Sequence, residues 1–310
     1  MANTEQHLAL GDVAARQLAN AQKTAPTMQS ITPRWLVALL PWVGVEAGIY
    51  RLNKVRDESR VLTATSQRED RGELPETFVD YEENPREYFV GSVTTVVDVH
   101  TRVADLYSHP FDQTKEQLRL AVETVKERQE HELLHNADYG LLNNITPSQT
   151  IRTLGGAPTP DDLDELTTLV WKEPAFFLAH PRAIAAFLRE ATRRGVPPTT
   201  VSLFGSPVVT WRGIPLVPSN KLEITDNTTQ ILLLRTGESR QGVVGLYQPG
   251  PGGDQGLGLS VKFMGISRRA IASYLISLYS SLAVLADDAV AVLEGVEVNK
   301  YHQYDYAYRS

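Results

Sequence analysis

WRGIPLVPSN, residues 211–220, is apolar enough for a strand, yet it holds Gly213, Pro215 and Pro218. Proline donates nothing to a sheet ladder and glycine weakens a strand interior. A freestanding enzyme core has little use for such a segment. The kind of protein that keeps a strand broken in this way decides the fold.

Around this stretch the elements are well punctuated. Upstream, Thr159 caps a helix, Pro160 occupies its first turn, and Leu163, Leu166 and Val170 form an apolar stripe. A second helix starts at Pro181, carries Ile184, Phe187 and Leu188 on one side, and ends in Arg193, Arg194 and Gly195. Basic residues suit the negative end of a helix, and glycine accepts the left-handed residue that terminates it. SPVVTW, IPLVPS, TQILLLRT and GVVGLYQ read as short strands, and the glycine-rich loop PGPGGDQGLG separates them from LSVKFM. Arg268 to Leu285, almost wholly apolar apart from serines and tyrosines, reads as a last helix.

The first half has a different texture. Leu8 to Ala21 suits a short amphipathic helix, and the polar stretch 21–34 is broken by Pro26 and Pro33. WLVALLPWVGVEAGIY follows, and its Trp35, Leu36, Leu39, Leu40 and Trp42 have to bury against the chain's own core or against a neighbouring subunit. Residues 46–99 read as a long hairpin whose charged turn is QREDRGELPE. A hairpin alone is marginal in water, so it should lie on another surface. From Asp112 a long helix begins, with Thr114 and Gln117 at capping-box spacing and Leu118, Ala121, Val122, Val125 and Leu133 in helical register.

Composition narrows the function classes. The 310 residues carry a formal net charge of −7, with 30 basic against 37 acidic side chains and no concentrated basic run. Gripping nucleic acid needs clustered Lys and Arg, so that role is not expected. The chain has no cysteine, which removes disulfides, thiolate zinc sites, iron–sulfur clusters and a cysteine nucleophile together. The N-terminus lacks a signal-peptide pattern, and Pro41 interrupts the longest apolar run, Trp35 to Val45. A soluble, cytoplasmic protein without integral membrane contact is expected.

One motif could carry chemistry. His131-Glu132-Leu133-Leu134-His135 matches H-E-x-x-H on a helix, the arrangement by which zinc peptidases hold the metal with two histidines and activate water with glutamate. A catalytic zinc wants a third protein ligand. The extended motif fails, since Asp138 and Leu141 stand where glycine and histidine should be, although Asp161, Asp162, Asp164 and Glu165 lie downstream. ERQEHELLHN also reads as an ordinary charged helix end. The glycines at 250, 252, 253, 256 and 258 fit no dinucleotide-binding register, and neither a phosphate-binding P-loop nor G-x-S-x-G occurs.

FFLAHPRAIAAFLREA followed by VVTWRGIPLVPSN resembles phage major capsid proteins of the Hong Kong 97 type, with Gly213, Ile214, Pro215, Leu216, Ser219 and Asn220 matching their turn pattern. The resemblance tightens to family 2 encapsulins, bacterial nanocompartment shell proteins, through LALGDVAARQLANAQKT, ITPRWLVALLPWVGVEAGIYRLN, DVHTRVADLYSHP, QTIRTLGGAPTPDDLD, RGVPPTTVSLFG and GESRQGVVGLYQPG. The chain has no room for a cyclic-nucleotide-binding insertion, so it is similar to the insertion-free, type A branch. The resemblance implies an α+β capsid fold: an N-terminal arm (1–50), an extended hairpin loop with its flanks (51–98), a peripheral domain with a spine helix (99–150), a mainly axial domain (151–265), and a C-terminal helix with a tail (266–310).

What this implies for function is compartmentation. The chain should assemble with itself into an icosahedral shell, the smallest of its kind, around a cargo protein, typically a cysteine desulfurase of sulfur metabolism. No catalytic, cofactor-binding or metal residue is implied, and the family has no metal centre near the end of its spine helix. Proline and glycine in 211–220 then mark corners. Trp35, Leu36, Leu39, Leu40 and Trp42 become an inter-subunit arm. Pro197, Pro198, Thr199 and Thr200 fall where related shells place a fivefold pore, a stiff loop with an uncharged rim; a plain helix-to-strand connector is the alternative. A phage capsid proper and a zinc peptidase remain the competing readings, and the cargo-binding residues and the role of the Tyr-rich tail are unassigned.

Overall fold

The computed structural model describes residues 31–56, 80–100, 113–250 and 256–301. The helix expected at Leu8–Ala21, the hairpin tip, the start of the long helix before residue 113, the middle of the glycine-rich loop and most of the Tyr-rich tail lie outside them.

Helix and strand both contribute, in an α+β arrangement built on two sheets. The larger runs β5 (Thr150–Arg152), β14 (Val290–Glu297), β10 (Thr228–Leu234), β6 (Phe176–Ala179), β9 (Ile214–Pro218), β8 (Ser206–Trp211) and β7 (Thr199–Leu203) in that order. Its central strands are apolar over the successive residues Phe176–Ala179, Ile231–Leu234 and Val290–Leu293, because both faces are covered there. Phe176, Leu178, Leu232, Leu234, Val290 and Val292 point into one cluster. Their neighbours Phe177, Ala179, Ile231, Leu233, Ala291 and Leu293 point into the other, where Leu163, Leu166, Ala183 and Phe187 of two helices meet them. These helices, α3 (Pro160–Leu169) and α4 (Pro181–Arg193), begin and end where their caps predict. Thr159 and Asp162 form a complete capping box, and Gly195 beyond α4 sits at φ +73°.

The opening segment now has its explanation. Arg212 and Gly213 both hold positive φ (51° and 85°) between Trp211 and Ile214, which pair across β8 and β9. Two such residues joining antiparallel strands make a tight hairpin turn, and glycine takes the left-handed position without cost. β9 leaves β8 after Pro215, and from Leu216 to Pro218 it lies parallel to β6. Pro215 stands where the strand changes partners, and Pro218 ends its pairing with β6.

The second sheet has β13 (Ile271–Val284) at its centre. β4 (Gly91–His100) runs along one edge; β12 (Leu259–Ile266) and then β11 (Val243–Tyr247) line the other, with β1 (Trp42–Gly44) beyond β11. The helix expected over Arg268 to Leu285 is therefore a strand. A nearly continuous apolar run carries no period that separates a buried strand from a buried helix, and here strands on both edges supply the ladder. Across this sheet lies α2 (Gln113–His135), 23 residues and so about 35 Å long, packing Leu118, Ala121, Val122 and Val125 against Val93, Val97, Ile276 and Leu278.

The hairpin has its root in β2 (Ile49–Leu52) and β3 (Arg86–Phe89), paired antiparallel with Tyr50 opposite Tyr88. Tyr88 is buried and its hydroxyl donates to Val284 O at 2.5 Å. Of the two burials open to the arm residues, the one against the chain's own core is seen. Trp35, Leu36 and Leu40, on and just after α1 (Trp35–Leu39), are buried in the chain's own core with Leu133, Leu134 and Leu178, and Leu39 and Trp42 pack against the same cluster. The ends of α2 and of both sheets meet there and leave an apolar seat, so this part of the arm is satisfied within one chain.

Candidate functional site

The last turn of α2 brings His131 and His135 to one face, their ring centroids 4.6 Å apart. The third partner comes from the chain leaving β9, through Lys221, Leu222 and Glu223. Donor atoms of His131, His135 and Glu223 all lie within 4.8 Å of one another. His135 Nε2 is 2.7 Å from Lys221 O. A carbonyl only accepts, so Nε2 carries a proton, and in the neutral ring the lone pair is on Nδ1. His131 Nδ1 is buried without a hydrogen-bond partner; burial first, then His135 and Arg128, lowers its pKa.

Glu132, the motif's would-be base, is occupied. Its carboxylate accepts from Asn136 Nδ2 at 2.9 Å and pairs with Arg128 at 2.6 Å. The hydrogen bond from Asn136 and the charge of Arg128 hold it below the usual glutamate range. The four downstream carboxylates stand on α3, against the opposite face of the large sheet from Leu133 and Leu134. Asp162 serves the capping box, and Asp164 accepts from Trp211 Nε1 and Arg212. Glu223 had no signal in sequence. Only the placement of the β9 exit beside α2 reveals it.

One turn earlier on α2, Glu127 ties three segments together. Its oxygens accept from Thr32 N and Oγ1 (both 2.8 Å), Arg34 (3.1 Å) and Lys221 Nζ (2.6 Å). Burial would raise its pKa, but these donors outweigh burial and lower it. Glu130 goes the other way. It is buried and raised, and it accepts only from Leu36 N among these groups. A depressed carboxylate stabilises above its usual value, 4.5, and its contribution fades as pH falls through the lowered folded value. Glu127→Gln should cost about 1–3 kcal/mol at neutral pH, with the gap from wild type closing in acid. Thermal melts of both proteins across pH read this difference, and subtraction cancels the opposite trend from Glu130.

The expected pore segment is loop only as far as Pro198. Thr199 and Thr200 open β7. Pro197, Thr199 and Thr200 are exposed and Pro198 half-buried. Thr199 Oγ1 is 2.7 Å from Thr210 Oγ1, so its hydroxyl is spent on the hairpin. Among the described residues, no helix is long and apolar enough to cross a membrane.

Comparison with known proteins agrees with this architecture. Residues 50–300 match the family model for the type 2A encapsulin shell protein, SrpI-like. The type 2A encapsulin shell protein SrpI of Synechococcus elongatus is 66% identical over 306 residues, 99% of this chain and all of that protein. Among solved structures, the holo-SrpI encapsulin complex of that organism superposes with a TM-score of 0.83 at 64% identity, covering 96% of this chain and all of that one. A structure from Microbacterium phage Oxtober96 shares the fold alone, at 13% identity and a TM-score of 0.60 over 92% of this chain and 99% of its own. The fold is that of Hong Kong 97-type capsids, and the chain belongs to the SrpI-like family of type 2A encapsulin shell proteins.

Proposed function

We propose that this chain closes with copies of itself into an icosahedral shell in the cytoplasm, and that the shell retains a cargo enzyme while small molecules pass through its pores. The observation that carries the reading is the hairpin. Among the described residues β2 and β3 pair with each other, and Tyr88, Tyr50 and Leu52 pack on the second sheet, while Phe89 of β3 and nearby Tyr81 stay 60% and 57% exposed. One side of the hairpin root is held within the chain, and a neighbouring subunit gives the bare aromatics of the other side a surface. Exposed Leu154, Trp171 and Phe204 suit the same covering. The role is structural rather than catalytic, since Glu132 is held by Arg128 and Asn136.

A cysteine desulfurase is the cargo the family resemblance favours. Pro197, Pro198, Thr199 and Thr200 remain the pore proposal, with Thr200 rather than Thr199 offering a free rim position. Negative-stain electron microscopy of the purified protein tests the shell, with uniform hollow particles expected; monomers or dimers alone would overturn it. A reconstruction of the same particles places residues 197–200 on a symmetry axis or away from it. Co-expression with a cysteine desulfurase should yield particles containing that enzyme, and consistently empty particles would remove it as cargo.

A further inference from the structure

We propose that His131, His135 and Glu223 form a binding site for a divalent transition-metal ion that clamps the end of α2 to the chain leaving β9. Two imidazoles and a carboxylate make the borderline donor set that zinc and its first-row neighbours prefer over magnesium or calcium. Three features beyond the residue types support it. His135 has its Nε2–H fixed on Lys221 O, the outer hydrogen bond that orients a metal-ligating histidine and leaves the other nitrogen free. His131 Nδ1 is buried with no hydrogen-bond partner, and Glu132 Oε1 at 3.9 Å is too far to serve. A cleft of about 360 Å³, lined by His135, Leu222, Glu223, Thr225 and Thr228, opens beside the cluster and has room for the ion's remaining water.

The geometry needs a small closure. Bonds of about 2.0–2.2 Å set donor atoms about 3.4 Å apart around a tetrahedral ion, against the 4.8 Å span here. Glu223 is exposed and can swing inward. With Glu132 held by Arg128 and Asn136, the ion's role is to fix the helix to the sheet. Lys221 already joins the same two elements, through its ammonium to Glu127 and its carbonyl to His135.

Cobalt(II) titration of the full-length protein, stripped with chelator, tests the site. Saturable uptake of one ion per chain is expected, with the visible absorption of a low-symmetry four-coordinate cobalt, and addition of zinc should displace it and raise the melting temperature. Glu223→Gln, at an exposed position, should weaken uptake at least tenfold and abolish the melting shift; His131→Gln should do the same. His100→Gln, an exposed histidine outside the cluster, should bind as wild type. No saturable uptake, or equal uptake by wild type and the Glu223 and His131 variants, would overturn the proposal.

Discussion

Asp288→Ala should destabilise the folded protein by about 3–5 kcal/mol, because it strands a buried cation. Arg235, at the end of β10, has 1% of its side chain exposed. Its guanidinium bonds Asp288 Oδ1 at 2.5 Å, Asp288 O at 3.2 Å and Gln241 O at 3.4 Å. Around it the two sheets meet, since Val243 N at the start of β11 donates to Arg235 O and Arg235 N donates to Ala289 O before β14. Burial would raise the Asp288 pKa, but Arg235 and Lys172 outweigh burial and lower it. The sign follows. The carboxylate stabilises above the unfolded aspartate value of about 3.9, and its contribution fades as pH falls through the lower folded value. Melting curves should show the deficit of Asp288→Ala at neutral pH and a narrowing gap below about pH 4. The double variant Arg235→Met with Asp288→Leu should recover most of the loss, since apolar pairs replace buried ion pairs well. A deficit below about 1 kcal/mol for the single variant would show that water reaches the guanidinium.

Gly245→Ala should undock the arm. Gly245 lies opposite Trp42 across the β1–β11 pairing, and its N–H donates to Pro41 O. A Cβ there would stand 2.6 Å from the Trp42 ring, far inside van der Waals contact. Trp42 has little freedom to retreat, because its indole N–H donates to Val37 O at 2.9 Å. Overpacking of this kind costs about 1–3 kcal/mol. The loss falls on α1 and β1, which hold Trp35, Leu36 and Leu40 in the shared core. Limited proteolysis should cut the variant between residues 30 and 48 while wild type resists, and hollow particles should fall sharply in yield. Wild-type resistance in the variant would mean that the Trp42 side chain repacks at little cost.

Much of the fold was legible because local rules and tertiary contacts agree over long stretches. Thr159, Pro160 and Gly195 punctuate α3 and α4 as their chemistry demands, and of the two prolines in 211–220 the first stands where β9 passes from β8 to β6 and the second where β9 ends. One reading went astray and another stayed open where local pattern is silent. Residues 271–284 carry no usable period, so only their pairing with β4, β11 and β12 makes them a strand. The aromatic and aliphatic arm residues announced burial but not against what, and the answer depends on an apolar seat assembled from distant elements. The metal cluster is an intermediate case. His131 and His135 were plain in sequence, whereas Glu223 joins them only because the β9 exit runs past the last turn of α2, and the carboxylates that looked available sit on the other side of the sheet.

The placement of β13 and β14 sets a timetable for synthesis. β4 has been waiting for β13 since early in translation, β5 borders β14, and β10 has β14 on one side. Neither sheet can close until residues 271–297 have left the ribosome, and contacts this remote in sequence make folding slow. A nascent chain therefore lacks both complete sheets until its last strands are made, so the proposed shell is expected to grow from whole subunits instead of tangling chains on one polysome.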